Sequence, residues 1–324
     1  MLVSKMRLPN FLIIGAAKSG TTTLYQYLCR HPQVYMSTPK EPEFFARDDR
    51  YAKGIEWYAS LFSKAEPYQV CGEASTIYTL WPHFPEAAAR IAQWLPNVKL
   101  IYVMRHPVDR AYSYYVQLIK NAQNTRRQLN IVKTFEESIN PDVVQVIPPP
   151  VPDPTIVDSH LPKCPALYLD GSNYIKQIEQ YLQFFPRKAF LFLLMEDLIQ
   201  DPAESTRKVF NFLGIDDEID VIRDNPIRAN QTKTHTEWFL RSRITAPLKK
   251  IPGVSHTSKL LPQRTRDHVY QLLKRLPYYK EQVENQYLPQ PMRPETRRML
   301  LERFQKPNQR LAEFLNRDLS SWSR

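Results

Sequence analysis

Residues Asn10-Phe11-Leu12-Ile13-Ile14-Gly15-Ala16-Ala17-Lys18-Ser19-Gly20-Thr21-Thr22-Thr23 carry the reading that decides the fold. The compact apolar run over 10–15 predicts a buried strand. The spacing over 19–30, with Leu24, Tyr27 and Leu28 on one face, predicts a helix. Between them lies a tight turn. The chain has only seven glycines in 324 residues, a low usage, yet Gly15 and Gly20 both fall here. Glycine lets the backbone curl so that successive N–H groups converge on an anion, with a helix N-terminus behind them. Lys18 adds a point charge, and Ser19, Thr21 and Thr22 add hydroxyl donors. The turn therefore reads as a phosphate cradle. It is not the nucleotide-triphosphatase form GxxxxGK[ST], because Lys18 precedes the last glycine instead of following it. A glycine turn closed by a Ser or Thr helix cap is the competing structural reading.

Working outward, residues 68–72 form a short strand candidate ending at Glu73, 84–94 a helix, and 98–104 the strongest strand after the first. A helix over 107–120 opens with proline at its favoured first position. Later, 174–185 reads as helix, 189–195 as a buried strand, 203–213 as a helix stopped by Gly214, and 294–319 as an amphipathic helix. This alternation predicts an α/β fold, a three-layer sandwich with a central, mostly parallel sheet and helices on both faces, in one domain over 1–324. Two regions break the rhythm. Residues 141–165 are proline-rich, including Pro148-Pro149-Pro150, and predict an ordered or semi-rigid loop. Residues 223–262 are basic and irregular and predict a lid-like segment.

Net charge is +11, from 44 Lys and Arg against 33 Asp and Glu. Such a surface attracts polyanions, from phosphorylated cofactors to sulfated glycans. The basic residues are dispersed and no RNA- or DNA-binding signature is present, so no nucleic-acid partner is expected. Cys29, Cys71 and Cys164 form no CxxC and no paired spacing, which excludes a disulfide framework and argues against a structural zinc site. A reducing cytoplasm is the expected location. The apolar run near the N-terminus is too short for a signal peptide, and no run approaches the length of a membrane span.

A second informative stretch is Val103-Met104-Arg105-His106-Pro107-Val108-Asp109-Arg110-Ala111-Tyr112-Ser113. Arg105 sits where a buried strand leaves the sheet, and Ser113 lies two turns into the next helix, on roughly the face of His106 and Arg110. Ligands of open α/β sheets bind at the carboxyl ends of strands. An arginine fork there, with a helical hydroxyl beside it, suits a terminal phosphate. The alternative is a surface arginine paired with Asp109.

Together, a GxxKxGTT loop after the first strand and RxPxxRxxSxY after a later one resemble the PAPS-dependent sulfotransferase superfamily (PAPS is 3′-phosphoadenosine 5′-phosphosulfate). Further likeness runs through Lys40-Glu41-Pro42-Glu43-Phe44-Phe45, through 192–198 with Asp201-Pro202 and Phe212-Leu213-Gly214, and through the C-terminal 304–308 and 317–322. The nearest branch is that of the heparan sulfate and related sulfotransferases. The resemblance implies a P-loop-type sulfotransferase fold and PAPS as sulfuryl donor. It implies that Lys18, Ser19, Gly20, Thr21 and Thr22 hold the 5′-phosphosulfate and Arg105 with Ser113 the 3′-phosphate. It also implies that no metal takes part, in keeping with Arg105, not a carboxylate, at the strand end.

Sulfuryl transfer is an in-line displacement that needs a base for the acceptor proton and a cation for the leaving oxygen. Glu73, in Gly72-Glu73-Ala74-Ser75-Thr76-Ile77-Tyr78, matches the catalytic-base glutamate of the resembled branch, which lies in a similar Glu-x-Ser/Thr-x-x-Tyr context. The expectation is that Glu73 takes the proton and Lys18 stabilises the leaving phosphate. Lys40, Tyr78 and His83 are candidate acceptor contacts. The acceptor class implied is a carbohydrate, with an anionic polysaccharide suited to the basic surface. One departure stands out: around 287–291 the chain lacks the basic Lys-Gly-Arg segment with which that branch closes over PAPS, and Asn230-Gln231-Thr232-Lys233-Thr234-His235 is the candidate replacement. Two other functions compete. A P-loop kinase or nucleotidase would use the same cradle on ATP, and a non-catalytic polyanion-binding module would use the charge alone.

Overall fold

Phe11–Gly15 forms β1, the strand at the centre of the molecule, and Phe11, Leu12 and Ile13 are fully buried there. Full burial of each such side chain contributes about 1.5–3 kcal/mol, which explains why an unbroken apolar run, and not an alternating one, occupies this place. The computed structural model describes residues 6–124, 134–140, 165–222 and 290–324. The described elements, which belong to one unit, follow in order: β1, α1 (Thr21–Leu28), β2 (Val34–Met36), α2 (Asp48–Tyr51), α3 (Ile55–Ser60), β3 (Val70–Ala74), α4 (Ala87–Trp94), β4 (Lys99–Met104), α5 (Pro107–Asn124), α6 (Phe135–Ile139), α7 (Pro165–Asp170), α8 (Tyr174–Leu182), β5 (Phe190–Leu194), α9 (Met195–Gln200), α10 (Pro202–Leu213) and α11 (Pro294–Leu315).

The five strands lie in the order β2-β3-β1-β4-β5 and every pairing is parallel. Leu12, Ile14, Leu100, Tyr102 and Met104 face one apolar layer with Tyr58 of α3, Ile91 of α4, Ile178 of α8 and Leu311 of α11. Phe11, Ile13, Ile101 and Val103 face the other, with Leu24 and Leu28 of α1 and Val209 and Phe210 of α10. This is the three-layer sandwich read from the sequence. The chain leaves β1 to build β2 and β3 on one side, then crosses to build β4 and β5 on the other. The carboxyl ends of β3, β1 and β4 therefore open the crevice that such a reversal of strand order creates.

Several boundaries differ from the sequence reading. β2 went unpredicted because three residues carry no measurable period. The strand expected over 68–72 runs instead over Val70–Ala74, paired from Val34↔Val70 on one side and Phe11↔Gly72 on the other. Glu73 is thus inside the strand, opposite Leu12, and shares the face of Tyr58 instead of projecting from the strand end. The C-terminal helix stops at Leu315, where Asn316 takes the left-handed conformation (φ 50°) that closes helices. Residues 141–164 and 223–262 lie outside the described residues; Pro165 begins α7. Among the described residues no helix is long and apolar enough to cross a membrane.

Gly15 ends β1 where three chains crowd together. A Cβ built there would lie 2.1 Å from Thr79 Oγ1 and 3.0 Å from Tyr102 Cε2, and Thr79 Oγ1 donates to the Ile14 carbonyl at 3.0 Å. Gly15→Ala is expected to destabilise the fold by about 1–3 kcal/mol through overpacking. Thermal unfolding followed by circular dichroism measures this, and an unchanged midpoint would show that the contact is not rigid.

Candidate active site

The loop after β1 is anchored at both ends. The Ala16 N–H donates to the Val103 carbonyl (2.7 Å) and so ties the loop to β4, and the Ser19 N–H closes back on the Ala16 carbonyl (3.1 Å). Lys18 at the apex has φ 70°, and Gly20, the N-cap of α1, has φ 91°. A non-glycine residue held left-handed stores strain and marks a loop whose surroundings define its shape. No side chain caps α1, and its first intrahelical bond is Leu24 N–H to Gly20 carbonyl (3.1 Å). The first-turn N–H groups, at Thr21 to Thr23, have no intrahelical acceptor for geometric reasons. Ser19 is fully buried, and among the described residues its Oγ has no partner of good hydrogen-bond geometry, with the Tyr174 hydroxyl close enough to act on it. Thr21 is buried and Thr22 half-buried. The Lys18 ammonium reaches Gln117 Oε1 on α5 at 3.0 Å. A buried hydroxyl with no well-formed hydrogen bond, beside an uncapped helix start and an ammonium, fits an oxyanion of a phosphate or sulfate ester.

Arg105 follows β4 directly. Its Nη1 donates to the Lys18 carbonyl (3.3 Å), joining the two anion-binding elements expected from sequence. Its main chain is clamped by Tyr174, whose hydroxyl donates to the Arg105 carbonyl (2.7 Å) and accepts from the Arg105 N–H (3.2 Å). Burial, the leading cause, pushes the Tyr174 phenol up to about 12, so it stays neutral and keeps its proton for that bond. Arg110, the largest fully buried side chain, donates through Nη1 to the Tyr168 carbonyl (3.2 Å) and Ser172 Oγ (3.0 Å), and its charge acts on the Tyr174 phenol. The pairing of Arg105 with Asp109 does not form. Asp109 accepts from Arg297 on α11 (2.6 Å), and Arg105 stays half-buried and turned toward the loop. Ser113 is half-buried two turns into α5 and makes no hydrogen bond to Arg105.

Glu73 is wholly buried and held by three hydroxyls. Its Oε1 accepts from Tyr78 (2.7 Å) and Tyr58 (3.2 Å), and its Oε2 accepts from Ser75 Oγ (2.8 Å). Burial raises its carboxyl to about 7, against the three hydroxyl donors, which favour the ionised form, and with a smaller upward push from Glu41. A carboxylate has about four acceptor positions, so three hydroxyl bonds leave one. A second buried carboxyl, Glu43, is also raised to about 7 by burial, although Arg47 Nη1 lies 3.3 Å from its Oε2.

The three acceptor candidates have partners of their own. Tyr78 is bonded to Glu73 and buried. Lys40 is ion-paired with its neighbour Glu41. His83 Nε2 lies 3.4 Å from Asp170 Oδ2 at the end of α7. The candidate lid over 230–235 lies outside the described residues. Sequence reading assigned no role to Tyr58, Ser75, Glu43 or Tyr174. Ser75 and Glu43 stand inside segments already singled out, but nothing local distinguishes them. Tyr58 and Tyr174 reach the site only through the packing of α3 and α8 on the sheet.

A family model described as a sulfotransferase domain matches residues 8–256. The mouse (Mus musculus) heparan sulfate glucosamine 3-O-sulfotransferase 5 is 30% identical over 209 residues, covering 64% of this chain and 54% of that protein. The mouse heparan sulfate glucosamine 3-O-sulfotransferase 3B1 is 32% identical over 234 residues, covering 70% and 50%. The chain thus spans about half the length of the curated relatives it matches. The crystal structure of a sulfotransferase from Alicyclobacillus acidocaldarius superposes with a TM-score of 0.62 at 23% identity over 98% of this chain and 100% of that one, which speaks for a shared fold.

Proposed function

The chain belongs to the sulfotransferase domain family, and on that footing we propose that it moves a sulfuryl group from PAPS to a hydroxyl or amine of an acceptor, with carbohydrate as the acceptor class. The observation that carries this reading is the bond from the Arg105 guanidinium to the Lys18 carbonyl, which joins the loop after β1 to the end of β4, the two elements that the reading assigns to the donor's anionic groups. Relatives named as heparan sulfate glucosamine 3-O-sulfotransferases, at 30–32% identity, support the acceptor class, and the net charge of +11 suits an anionic polysaccharide.

In this reading the loop N–H groups with Lys18, Ser19, Gly20, Thr21 and Thr22 hold the 5′-phosphosulfate, while Arg105 and Ser113 hold the 3′-phosphate. When bound, PAPS supplies the sulfuryl group and a phosphate leaving group. Glu73 takes the acceptor proton as the new bond forms from sulfur to the acceptor oxygen or nitrogen. Lys18 neutralises the charge that develops on the bridging phosphate oxygen as the old S–O bond breaks. The hydroxyls of Tyr58, Tyr78 and Ser75 favour the ionised form of Glu73 in a site whose burial disfavours charge.

Calorimetric titration with the desulfated product, 3′-phosphoadenosine 5′-phosphate, tests the donor assignment. Metal-independent binding to the wild type is expected, weakened about 10–100-fold in Arg105→Ala by loss of a charge-assisted contact, with ATP binding more weakly than the product. Failure of the folded wild type to bind would sink the reading, and preferred binding of ATP with Mg²⁺ would hand the site to phosphoryl transfer.

A further inference from the structure

The segment carrying Lys40, Glu41 and Glu43 is wired to Glu73 by two parallel hydrogen-bond chains. In one, the Glu43 N–H donates to Ser75 Oγ (3.0 Å), and that hydroxyl donates to Glu73 Oε2 (2.8 Å). In the other, the Phe45 N–H donates to the Tyr78 hydroxyl (3.3 Å), which donates to Glu73 Oε1 (2.7 Å). Each carboxylate oxygen thus ends its own N–H···O–H···O chain. A hydroxyl that accepts from an N–H becomes a stronger donor, so both chains favour charge on Glu73. All the side chains in these chains are buried. The backbone that supplies the N–H groups is itself strained. Glu41 (φ 59°) and Glu43 (φ 57°) are both left-handed, a conformation that costs roughly 1–3 kcal/mol for a non-glycine residue and persists only where the surroundings impose it.

We infer that Ser75 and Tyr78 are positioning residues through which the backbone of residues 43–45 aims the Glu73 carboxylate and sets its basicity, so that this segment is part of the catalytic apparatus without touching the reacting atoms. The inference rests on the reading of Glu73 as the base. Other titratable or charged groups face the same carboxylate. Tyr58 on α3 donates to Oε1, Glu41 pushes the carboxyl upward, and Tyr181 on α8 is raised partly by Glu73. Glu43 with Arg47 lies beyond Ser75. None of these groups substitutes for the Ser75 and Tyr78 chains, because among the described residues it is those two hydroxyls that join Glu73 to the 43–45 backbone.

The direction of the effect follows from the chemistry. A donor lost from the ionised form raises the Glu73 pKa above its value of about 7. The acid limb of kcat/KM, where rate falls as Glu73 protonates, should then move to higher pH by about one unit per hydroxyl. The experiment compares the wild type with Tyr78→Phe, Ser75→Ala and Ser75→Thr. It uses pH–rate profiles and, separately, infrared titration of the Glu73 carboxyl, identified by its absence in Glu73→Gln. The expected result is an upward shift in Tyr78→Phe and Ser75→Ala, near-recovery of turnover above pH 9, and return toward the wild-type profile in Ser75→Thr, which keeps the hydroxyl. Lower turnover at every pH with an unmoved limb and an unmoved infrared midpoint would overturn the inference and leave a packing role. If the wild type transfers no sulfuryl group to any acceptor tried, the function reading fails, yet the infrared midpoints still decide whether these hydroxyls set the carboxyl.

Discussion

Glu73→Gln is expected to lower turnover roughly 10²–10⁴-fold, the range for loss of a positioned base, while binding 3′-phosphoadenosine 5′-phosphate as tightly as the wild type. The amide keeps the shape and can still accept from Tyr58 and Tyr78 through its oxygen, but it cannot take a proton. The same variant carries a second, opposite effect. The fold raises the Glu73 carboxyl from its ordinary 4.5 to about 7, with burial as the chief cause, so folding favours the protonated form. Below pH 4.5 the group is protonated in both states and costs nothing. As pH rises from 4.5 to 7 the unfolded chain ionises while the folded group holds its proton, so stability falls, by about 3 kcal/mol in all for this site taken alone, and levels off above 7 where the buried group is charged too. Removing the charge should therefore raise the unfolding midpoint at pH 8 and leave it little changed near pH 4.5. A variant that is both inactive and more stable at alkaline pH is the signature of a carboxylate held for its chemistry. Full activity in Glu73→Gln would move the base elsewhere.

Lys18→Ala is the second large effect. The ammonium is within hydrogen-bond reach of Gln117 and sits at the apex of a left-handed turn, with Ser19 buried beside it. Its loss should weaken product-nucleotide binding and also cut turnover by roughly 10²–10³-fold, the scale for removing one preorganised group that stabilises developing charge. The two observables divide the role. A fall in affinity alone would mean that Lys18 only attracts the nucleotide. A further fall in turnover at saturating donor would mean that it acts on the leaving oxygen. Lys18→Arg, which keeps the charge but not the compact ammonium, should restore binding more than turnover. Equal recovery of both would argue that charge alone matters.

The parallel α/β architecture was legible because its elements carry strong local signals: an unbroken apolar run at 11–15, another at 99–104, and helices with proline or glycine at their ends. β2 was not, since three residues show no period. The register of β3 was not either, because which residues of 68–74 enter the ladder depends on partners at Val34 and Phe11. That shift of two residues moved Glu73 from the strand end onto the buried face. The burial of Arg110 was not legible either: it is fully buried where the Gly171 corner closes over it, so tightly that a Cβ there would come within 2.6 Å of Arg110 Nη2.

By itself the sequence determined the glycine-bearing loop after the first strand and the arginine at a later strand end, since each is a matter of residue type at short spacing along one chain, while Glu73 was singled out as candidate base through its resemblance to the sulfotransferase branch. Only the tertiary structure decided what surrounds them. Tyr174 clamping Arg105 from 69 residues away, Tyr58 and Tyr78 closing on Glu73, and the 43–45 backbone reaching it through Ser75 are meetings between elements that local propensity does not encode. They follow from which helix packs on which face of the sheet, and it is the burial created by that packing that raises the Glu73 carboxyl to about 7.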